Sequence, residues 1–460
     1  MAEIVVFGGS IIGSSAAMLL AREGHRVTVL ESDPTHPPAD PVAAWDSWGR
    51  KGVPQFDQPH NLFPRARQIM DDDLPGLTEA ILAAGGARMN PMANLPPTLA
   101  DRSPFPGDER FEYVNARRPV LEAVIAHAAA ATEGVSIRRG ARVSGLTVDA
   151  AGAIPRVTGV HLDDGSQVSA NLVVDASGRR SKLAEWLGAL GDVKPHVESE
   201  DSGFVYFTRY FRGPERPQFL GPGLAPLGSI SLLTLVGDND TWSVTVFAAS
   251  SDKDLRGLKD VARFAKVVGA CPLQAHWLDG EPISHIKVMA GVLDRYRRYI
   301  VDGAPIATGV VPVGDAWACT NPSAGRGMTI GLIHAQRLRD AARQGVDDDL
   351  PLRFDELTER DVTPFYRNQI ASDRIRVAQM DAHRSGDDPP PGDAAMNAVL
   401  AAMPFDPFVF RAAVETLTCL ALPQEIFARP EVVKGIEAYA GQTPTPAPGP
   451  TRPELLALLG

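Results

Sequence analysis

Along the first thirty residues, apolar positions follow two different periods. Ile4, Val5, Val6 and Phe7 form a continuous apolar run that ends in glycines. Residues 12–23 instead carry Ala16, Ala17, Leu19 and Leu20 at helical spacing, with Gly24 as the stop. Val27 to Leu30 is again apolar and rich in β-branched residues, and closes on Glu31. A short apolar run reads as a buried strand and the 3.6-residue period as a helix. Strand, helix and strand in that order form a βαβ unit, which requires a right-handed crossover and a parallel sheet.

Further along, the patterning changes several times. Residues 34–110 are rich in proline and polar turns, with only short helical pieces such as Leu77 to Ala84. A helix is expected from Pro119 to Ala131, followed by alternating strands with a hairpin signal at Asp163-Asp164-Gly165. From 203 to 249 the period is that of longer antiparallel strands, "FVYFTRYFR" and "SISLLTLVGDNDTWSVTVFAAS", the second turning at Gly237 to Asp240. Strand, loop and long helix return between Ile306 and Gln344, and the last hundred residues are helical around "GDDPPPGD" and "TPTPAPGPTRP". The composition of that proline-rich tail suits a mobile extension or a strap. Nucleotide-type α/β pieces thus stand at the start, the middle and after residue 300, with an antiparallel sheet between. That order fits one domain assembled from separated segments and interrupted by a second.

Composition narrows the class. The chain has 460 residues, 44% hydrophobic and 22% charged, which is ordinary for a soluble globular protein of two or three domains. A net charge of −11 argues against nucleic acid or an anionic membrane as a general partner. The basic runs Arg179-Arg180-Ser181-Lys182 and Arg295-Tyr296-Arg297-Arg298 are local, and read as solvated faces or as anion sites. Cys271, Cys319 and Cys419 lie far apart and in no metal-ligand spacing, so a reducing, cytoplasmic setting without metal is expected. No signal peptide and no membrane-spanning run are expected.

Three motifs carry chemistry. The first is "GGSIIG", Gly8 to Gly13, between the first strand and helix. A dinucleotide-binding turn has glycine at its first, third and sixth positions, here Gly8, Ser10 and Gly13. Ser10 replaces the glycine that lets the backbone approach a pyrophosphate, but its hydroxyl can itself donate to a phosphate oxygen. Free N–H groups and the helix dipole favour an anion at such a helix start. Glu31, eighteen residues after Gly13, is placed to accept from a ribose diol. The second motif is "LVVDASGRRSKLAEWLG", where a strand ends in Asp175, a turn carries Gly178, and a basic helix begins. The third is "VVPVGDAWACTNPSAGRGMTIGLIHAQRL", in which a strand delivers Asp315 and Asn321-Pro322 leads to Gly325 and Gly327 at the start of an amphipathic helix. Asp315 can accept from polyol hydroxyls, or be a surface or capping acid. The glycine-opened helix end can offer N–H groups to an anionic ring edge.

These motifs, in this order and spacing, resemble the FAD-dependent monooxygenases of the aromatic-hydroxylase (p-hydroxybenzoate hydroxylase-like) superfamily from residue 4 to about 345. "GVPQFDQPHNLFPRARQIMDDDLPGL", "RRPVLEAVI" and "DASGRRSKLAEWLG" are similar to a branch containing polyether-type epoxidases. The resemblance implies an α/β fold: a Rossmann-like FAD-binding domain, three-layered with a parallel sheet and a β-meander, an inserted antiparallel-sheet substrate domain, and a C-terminal helical region. The corresponding segments are 1–70, 101–190 and 291–345 for FAD, 71–100 and 191–290 for substrate, and 346–460 for the helical region.

The resemblance also implies roles. Gly8, Ser10 and Gly13 line the FAD pyrophosphate, Glu31 holds the adenosine ribose, and Arg118 contacts the phosphate or ribityl region. Asp315 holds the ribityl chain, while Pro322 and Gly325, Arg326, Gly327 and Met328 face the isoalloxazine. Asp175 and Gly178 serve FAD and transient NAD(P)H, although Ala176 departs from the commonest Asp-Gly form of that motif. Electrons come from NAD(P)H or from a partner flavin reductase. The chemistry implied is insertion of one oxygen atom from O2, via a flavin C4a-hydroperoxide, into a small apolar natural product by epoxidation or hydroxylation. The alternatives are a reductase or dehydrogenase of the prenyl-chain reductase type, and a non-catalytic flavin-binding component. Substrate-side candidates are one alternating pair among Tyr206, Phe207, Tyr210 and Phe211, aromatics that are more often core than contact. His60 and Arg65 join them as polar contacts to flavin or substrate, a lone histidine being usually structural. Halogenation is not expected, because Trp45-Asp46-Ser47-Trp48-Gly49 is followed by Arg50 rather than completing a Trp-x-Trp-x-Ile-Pro pattern.

Overall fold

The computed structural model describes residues 1–99, 101–201, 203–442 and 447–460. Its first unit is the expected one: β1 (Glu3–Phe7), α1 (Ile11–Arg22) and β2 (Arg26–Glu31). After an irregular stretch that includes the helix Pro64–Asp73, α2 (Arg118–Ala131) returns the chain to β3 (Val135–Arg139). A meander of β4 (Val143–Asp149), β5 (Arg156–Leu162) and β6 (Gln167–Ser169) precedes β7 (Leu172–Asp175). The antiparallel strands are β8 (Phe204–Arg212), β9 (Leu224–Leu227), β10 (Ile230–Val236), β11 (Thr241–Ala249) and β12 (Lys287–Ala290). They are followed by β13 (Val310–Pro312) and helices α3 (Gly327–Ala342), α4 (Leu350–Asp361), α5 (Thr363–Ser385) and, at the end of the chain, α6 (Arg452–Leu459).

The parallel sheet has the order β13-β7-β1-β2-β3, with Val6 opposite both Val29 and Val174. Because side chains alternate across a strand, each strand splits its apolar residues between two layers. Ile4, Val6, Val27, Val29 and Val174 face the helices α1, α2 and α3, while Val5, Phe7, Leu30 and Val173 face the meander. The result is three layers, and the strand order reverses direction between β1 and β7. In open α/β sheets that switch point, at the carboxyl ends of the strands, is where ligands bind.

The antiparallel sheet, ordered β9-β10-β11-β8 with β12 on the far edge of β8, covers the same end. Its hairpin between β10 and β11 turns with Asn239 and Asp240 both at positive φ, 48° and 54°. The Asp238 carboxylate at this tip accepts from the Arg117 main-chain N–H at 2.7 Å and from its guanidinium at 2.6 and 3.0 Å. One buried ion pair therefore ties the roof to the residue preceding α2.

The C-terminal helices brace both parts. Arg376 of α5 donates to the carbonyls of Gly228 and Ile230 at the β9–β10 turn, and Met380 packs with Phe204, Tyr206 and Phe247. In the proline-rich tail, residues 443–446 lie outside the described residues. Beyond them, α6 buries Leu455 and Leu459 against Leu255, Leu258 and Phe264. Among the described residues no helix is long and apolar enough to cross a membrane.

Candidate functional site

A single cleft runs from the start of α1, past the ends of β7 and β13, to the underside of the antiparallel sheet. At its first end, Ser10 caps α1 without a side-chain bond to the helix, and the first amide to find an intrahelical acceptor is that of Ser14, on Ser10. The N–H groups of Ile11, Ile12 and Gly13, which line the cleft, are thus available to a ligand. Gly8 and Gly13 of the turn serve packing. Gly8 has φ +106°, and a Cβ there would stand 2.3 Å from the Ala176 carbonyl oxygen. A Cβ on Gly13 would meet the Gly8 carbonyl oxygen at 1.8 Å. Ser10 does line the cleft, and Gly8 does not.

Arg118 faces this helix start. Its Nη2 donates to Ser10 Oγ at 3.3 Å and its Nη1 to His60 Nε2 at 2.8 Å. Since that ring nitrogen accepts, Nδ1 carries the proton of His60 and donates to the Gln58 carbonyl at 2.8 Å. Burial, reinforced by Arg118, pushes the His60 pKa down to about 3, so the ring is neutral. Behind Arg118 runs a buried chain of charges that sequence reading missed. Glu122 accepts from Arg118 and Arg50, and Arg50 also binds Glu31 at 2.6 Å. Glu122 was discoverable as the i+4 partner of Arg118 on one helix face, whereas no pattern singled out Arg50.

Glu31 is 4% exposed and its oxygens are engaged by the protein. One accepts from Gly9 N–H at 2.8 Å and from Arg50, the other from Asp33 N–H at 2.7 Å. The carboxylate does not line the cleft; it holds the turn and, through Arg50 and Glu122, positions Arg118. Asp175 is likewise fully buried, its carboxylate accepting from Ser177 N–H and from the hydroxyls of Ser177 and Ser181. It shapes the loop whose Gly178, Arg179 and Arg180 form the cleft edge. The second basic run lies behind that loop: Arg295 and Arg297 both donate to the Arg179 carbonyl.

Farther along, Gly314 (φ +61°) turns the chain so that Asp315 faces the cleft. Burial raises the Asp315 pKa, against the pull of Arg118 and Arg179. Pro322, Gly325, Gly327 and Met328 line the next section, where α3 begins. Arg326 turns away, donating to Gln369 at 2.8 Å and to Asn368 on α5. Ser323 and Gln369 both donate to the buried Asp373, whose pKa burial lifts to about 6.

The antiparallel sheet closes the far end. Tyr206 and Thr208 of β8 line the cleft, while Phe207 and Phe211 point into the opposite core. Tyr210 shares the face of Tyr206 but lies beyond the cleft, with its ring 4.7 Å from that of Trp45. The Tyr206 hydroxyl donates to Asn321, whose main-chain N–H donates to Asp294 at 2.6 Å. Burial, with Asp373 and Glu200 nearby, raises Asp294 to about 7. Arg65 is bonded to Gln336 at 2.9 Å and is not at the cleft.

In chemical terms the cleft offers an anion-binding helix start with an arginine, then a carboxylate suited to hydroxyls, then a second helix start, then an apolar roof. These features fit an extended dinucleotide that ends in a polar ring system.

Comparisons with known proteins agree at the level of fold. A tryptophan halogenase family model matches residues 119–191, from α2 through the Asp175 loop. Protein Rv3254 of Mycobacterium tuberculosis is 28% identical over 391 residues, 80% of this chain and 79% of that one. Digeranylgeranylglycerophospholipid reductase 2 of Methanococcoides burtonii is 23% identical over 368 residues, 75% and 76% of the two chains. Among solved structures, PqsL of Pseudomonas aeruginosa, described as a probable FAD-dependent monooxygenase, superposes with a TM-score of 0.61 at 18% identity. That likeness covers 84% of this chain and 98% of PqsL.

Proposed function

We propose that this chain, whose fold is that of the FAD-dependent monooxygenases of the aromatic-hydroxylase type, is itself a flavin monooxygenase acting on a small, largely apolar molecule. The observation that supports the reading is one continuous cleft lined by Ser10 to Gly13, Arg118, Asp315 and the start of α3, groups suited to the successive parts of an extended FAD. The free amides of α1 and the Arg118 guanidinium hold the pyrophosphate. Glu31, set outside the cleft, would order the turn and Arg118 beside the cofactor rather than touch it. Asp315 would accept from the ribityl hydroxyls, and Pro322, Gly325, Gly327 and Met328 would face the isoalloxazine. The positive end of the α3 dipole favours negative charge on the adjacent ring edge. Reduced FAD, when bound, supplies the activation of O2. The chain's own contribution is a water-poor site under β8, β10 and β11, with Tyr206 fixed by Asn321 at the junction of ring loop and roof. In this reading residues 1–70, 101–190 and 291–345 form the FAD-binding part, 71–100 and 191–290 the substrate part, and 346–460 the helical brace. Arg179 and Arg180 mark the edge where NAD(P)H or a partner reductase delivers electrons.

A second reading, reduction of a double bond, is favoured by the match to the archaeal reductase. One experiment separates them: incubation of the FAD-loaded protein and a reductant with polyene, terpene and indole compounds under 18O2. The proposal expects a product carrying one labelled oxygen atom. A reduced double bond without label would overturn it.

A further inference from the structure

The cleft changes character along its length. Its cofactor end carries Arg118, Arg179, Arg180 and Asp315, whereas among the described residues no Asp, Glu, Lys or Arg lines the roof end. There the apolar surface comes from Leu233, Met289 and Val292, and the polar groups include Gln58, Thr208, Thr245 and Tyr206. Tyr206 is already committed to Asn321.

The remaining three form a chain whose direction follows from proton counting. Thr208 Oγ1 lies 3.2 Å from Gln58 Oε1 and 2.8 Å from Thr245 Oγ1. A hydroxyl has one proton and an amide oxygen can only accept, so Thr208 donates to Gln58 and Thr245 donates to Thr208. The Gln58 oxygen is thereby fixed, and its –NH2 group has no acceptor among the described residues. Gln58 is 7% exposed and lines the cleft. An amide donor turned into the cleft loses its water when an apolar molecule fills the space, and an acceptor oxygen on that molecule offsets the loss. A carboxylate or phosphate brought to this end would shed its hydration and find no cation.

We infer that Gln58 is the specificity-determining contact of the roof, donating its amide N–H to an acceptor oxygen on an uncharged, largely apolar substrate. This rests on the monooxygenase reading for the identity of the roof as the substrate side, but its test does not depend on turnover. The FAD-loaded protein is titrated at pH 7.5 with 2-naphthol, naphthalene and 2-naphthoate, following heat or naphthyl fluorescence, in the wild type and in Gln58→Leu. In the variant Thr208 still accepts from Thr245 and loses only the acceptor for its own proton. The wild type is expected to bind 2-naphthol at least tenfold more tightly than 2-naphthoate. Gln58→Leu is expected to weaken 2-naphthol at least fivefold and to leave naphthalene unchanged, with the flavin spectrum retained.

Equal or tighter binding of 2-naphthoate, an equal effect of Gln58→Leu on 2-naphthol and naphthalene, or no binding of 2-naphthol would overturn the inference. The comparison of neutral and carboxylate probes stands on the wild type alone should the variant not fold. A protein that takes up no FAD yet still discriminates between the probes would count against the monooxygenase reading and in favour of the inference.

Discussion

Asp294 shows how a single side chain couples the loop before α3 to pH. Its carboxyl is buried, accepts the Asn321 N–H, and faces Asp373 and Glu200 with Arg374 as the opposing charge. With a folded pKa of about 7 against an ordinary 3.8, the native state keeps a proton that the unfolded chain releases between about pH 4 and 7. Its contribution to stability is therefore present below that window and lost as pH rises through it. His60 and His334, both lowered to about 3, work in the opposite sense: the stability they give is present above pH 6.5 and lost on acidification. Asp294→Asn keeps an acceptor for Asn321 and removes only the acid. Its melting temperature is expected to exceed the wild type's at pH 8 and to converge on it near pH 4, the histidine effects cancelling in the difference. Parallel curves across that range would show that Asp294 does not titrate there.

Among elements, α1 packs tightly on α3, which explains why Gly331 stands inside a helix where no turn needs it. Ile12, in the first turn of α1, fills a slot between Gly314 and Gly331. A Cβ at Gly331 would lie 2.7 Å from Ile12 Cδ1, and one at Gly314 would lie 3.0 Å from its Cγ2. Gly331→Ala gains about 1 kcal/mol of helix propensity but overpacks the slot, at a cost of about 1–3 kcal/mol. We expect net destabilisation in the wild type and a stabilising effect in an Ile12→Ala background, measured by chemical denaturation. The same sign in both backgrounds would rule out the slot.

The βαβ unit, the β10–β11 hairpin and α3 were legible because period, glycine and turn residues agreed locally. The helix Pro64–Asp73 was hidden among turn residues, since its apolar side chains are few and its partners, including α3, are distant in sequence. Positions on motifs were easier to read than directions: Glu31 and Asp175 end their strands as expected. Both carboxylates, however, bind the protein's own loops, and which donors reach them depends on Arg50, Ser177 and Ser181.

At the scale of the whole molecule, the C-terminal hundred residues are a brace whose composition announced helices but not what they hold. α5 spans from the loop before α3, through Ser323 and Asp373, to the antiparallel sheet, through Arg376 and Met380. α6 fastens the outer face of the roof, where Arg452 pairs with the buried Asp252 at 2.5 and 3.0 Å. Arg452→Ala leaves that carboxylate buried and alone, and should cost about 3 kcal/mol in denaturant unfolding. A loss under about 0.5 kcal/mol would show that the tail helix is dispensable. This long-range bracing was illegible for a physical reason, because Arg452 and Asp252 are two hundred residues apart and neither stands in a recurring motif.

The central claim is that one cleft, built by three separated motifs, holds FAD, and equilibrium titration with FAD tests it most directly. The wild type is expected to bind with a perturbed visible spectrum and quenched flavin fluorescence. Ser10→Gly should stay within about fivefold of it, because Ser10 accepts only one long bond from Arg118. Asp315→Ala should weaken binding at least tenfold, about 1.4 kcal/mol. A wild-type protein that stays colourless after titration, or an Asp315→Ala variant that binds FAD as tightly as the wild type, would contradict the account.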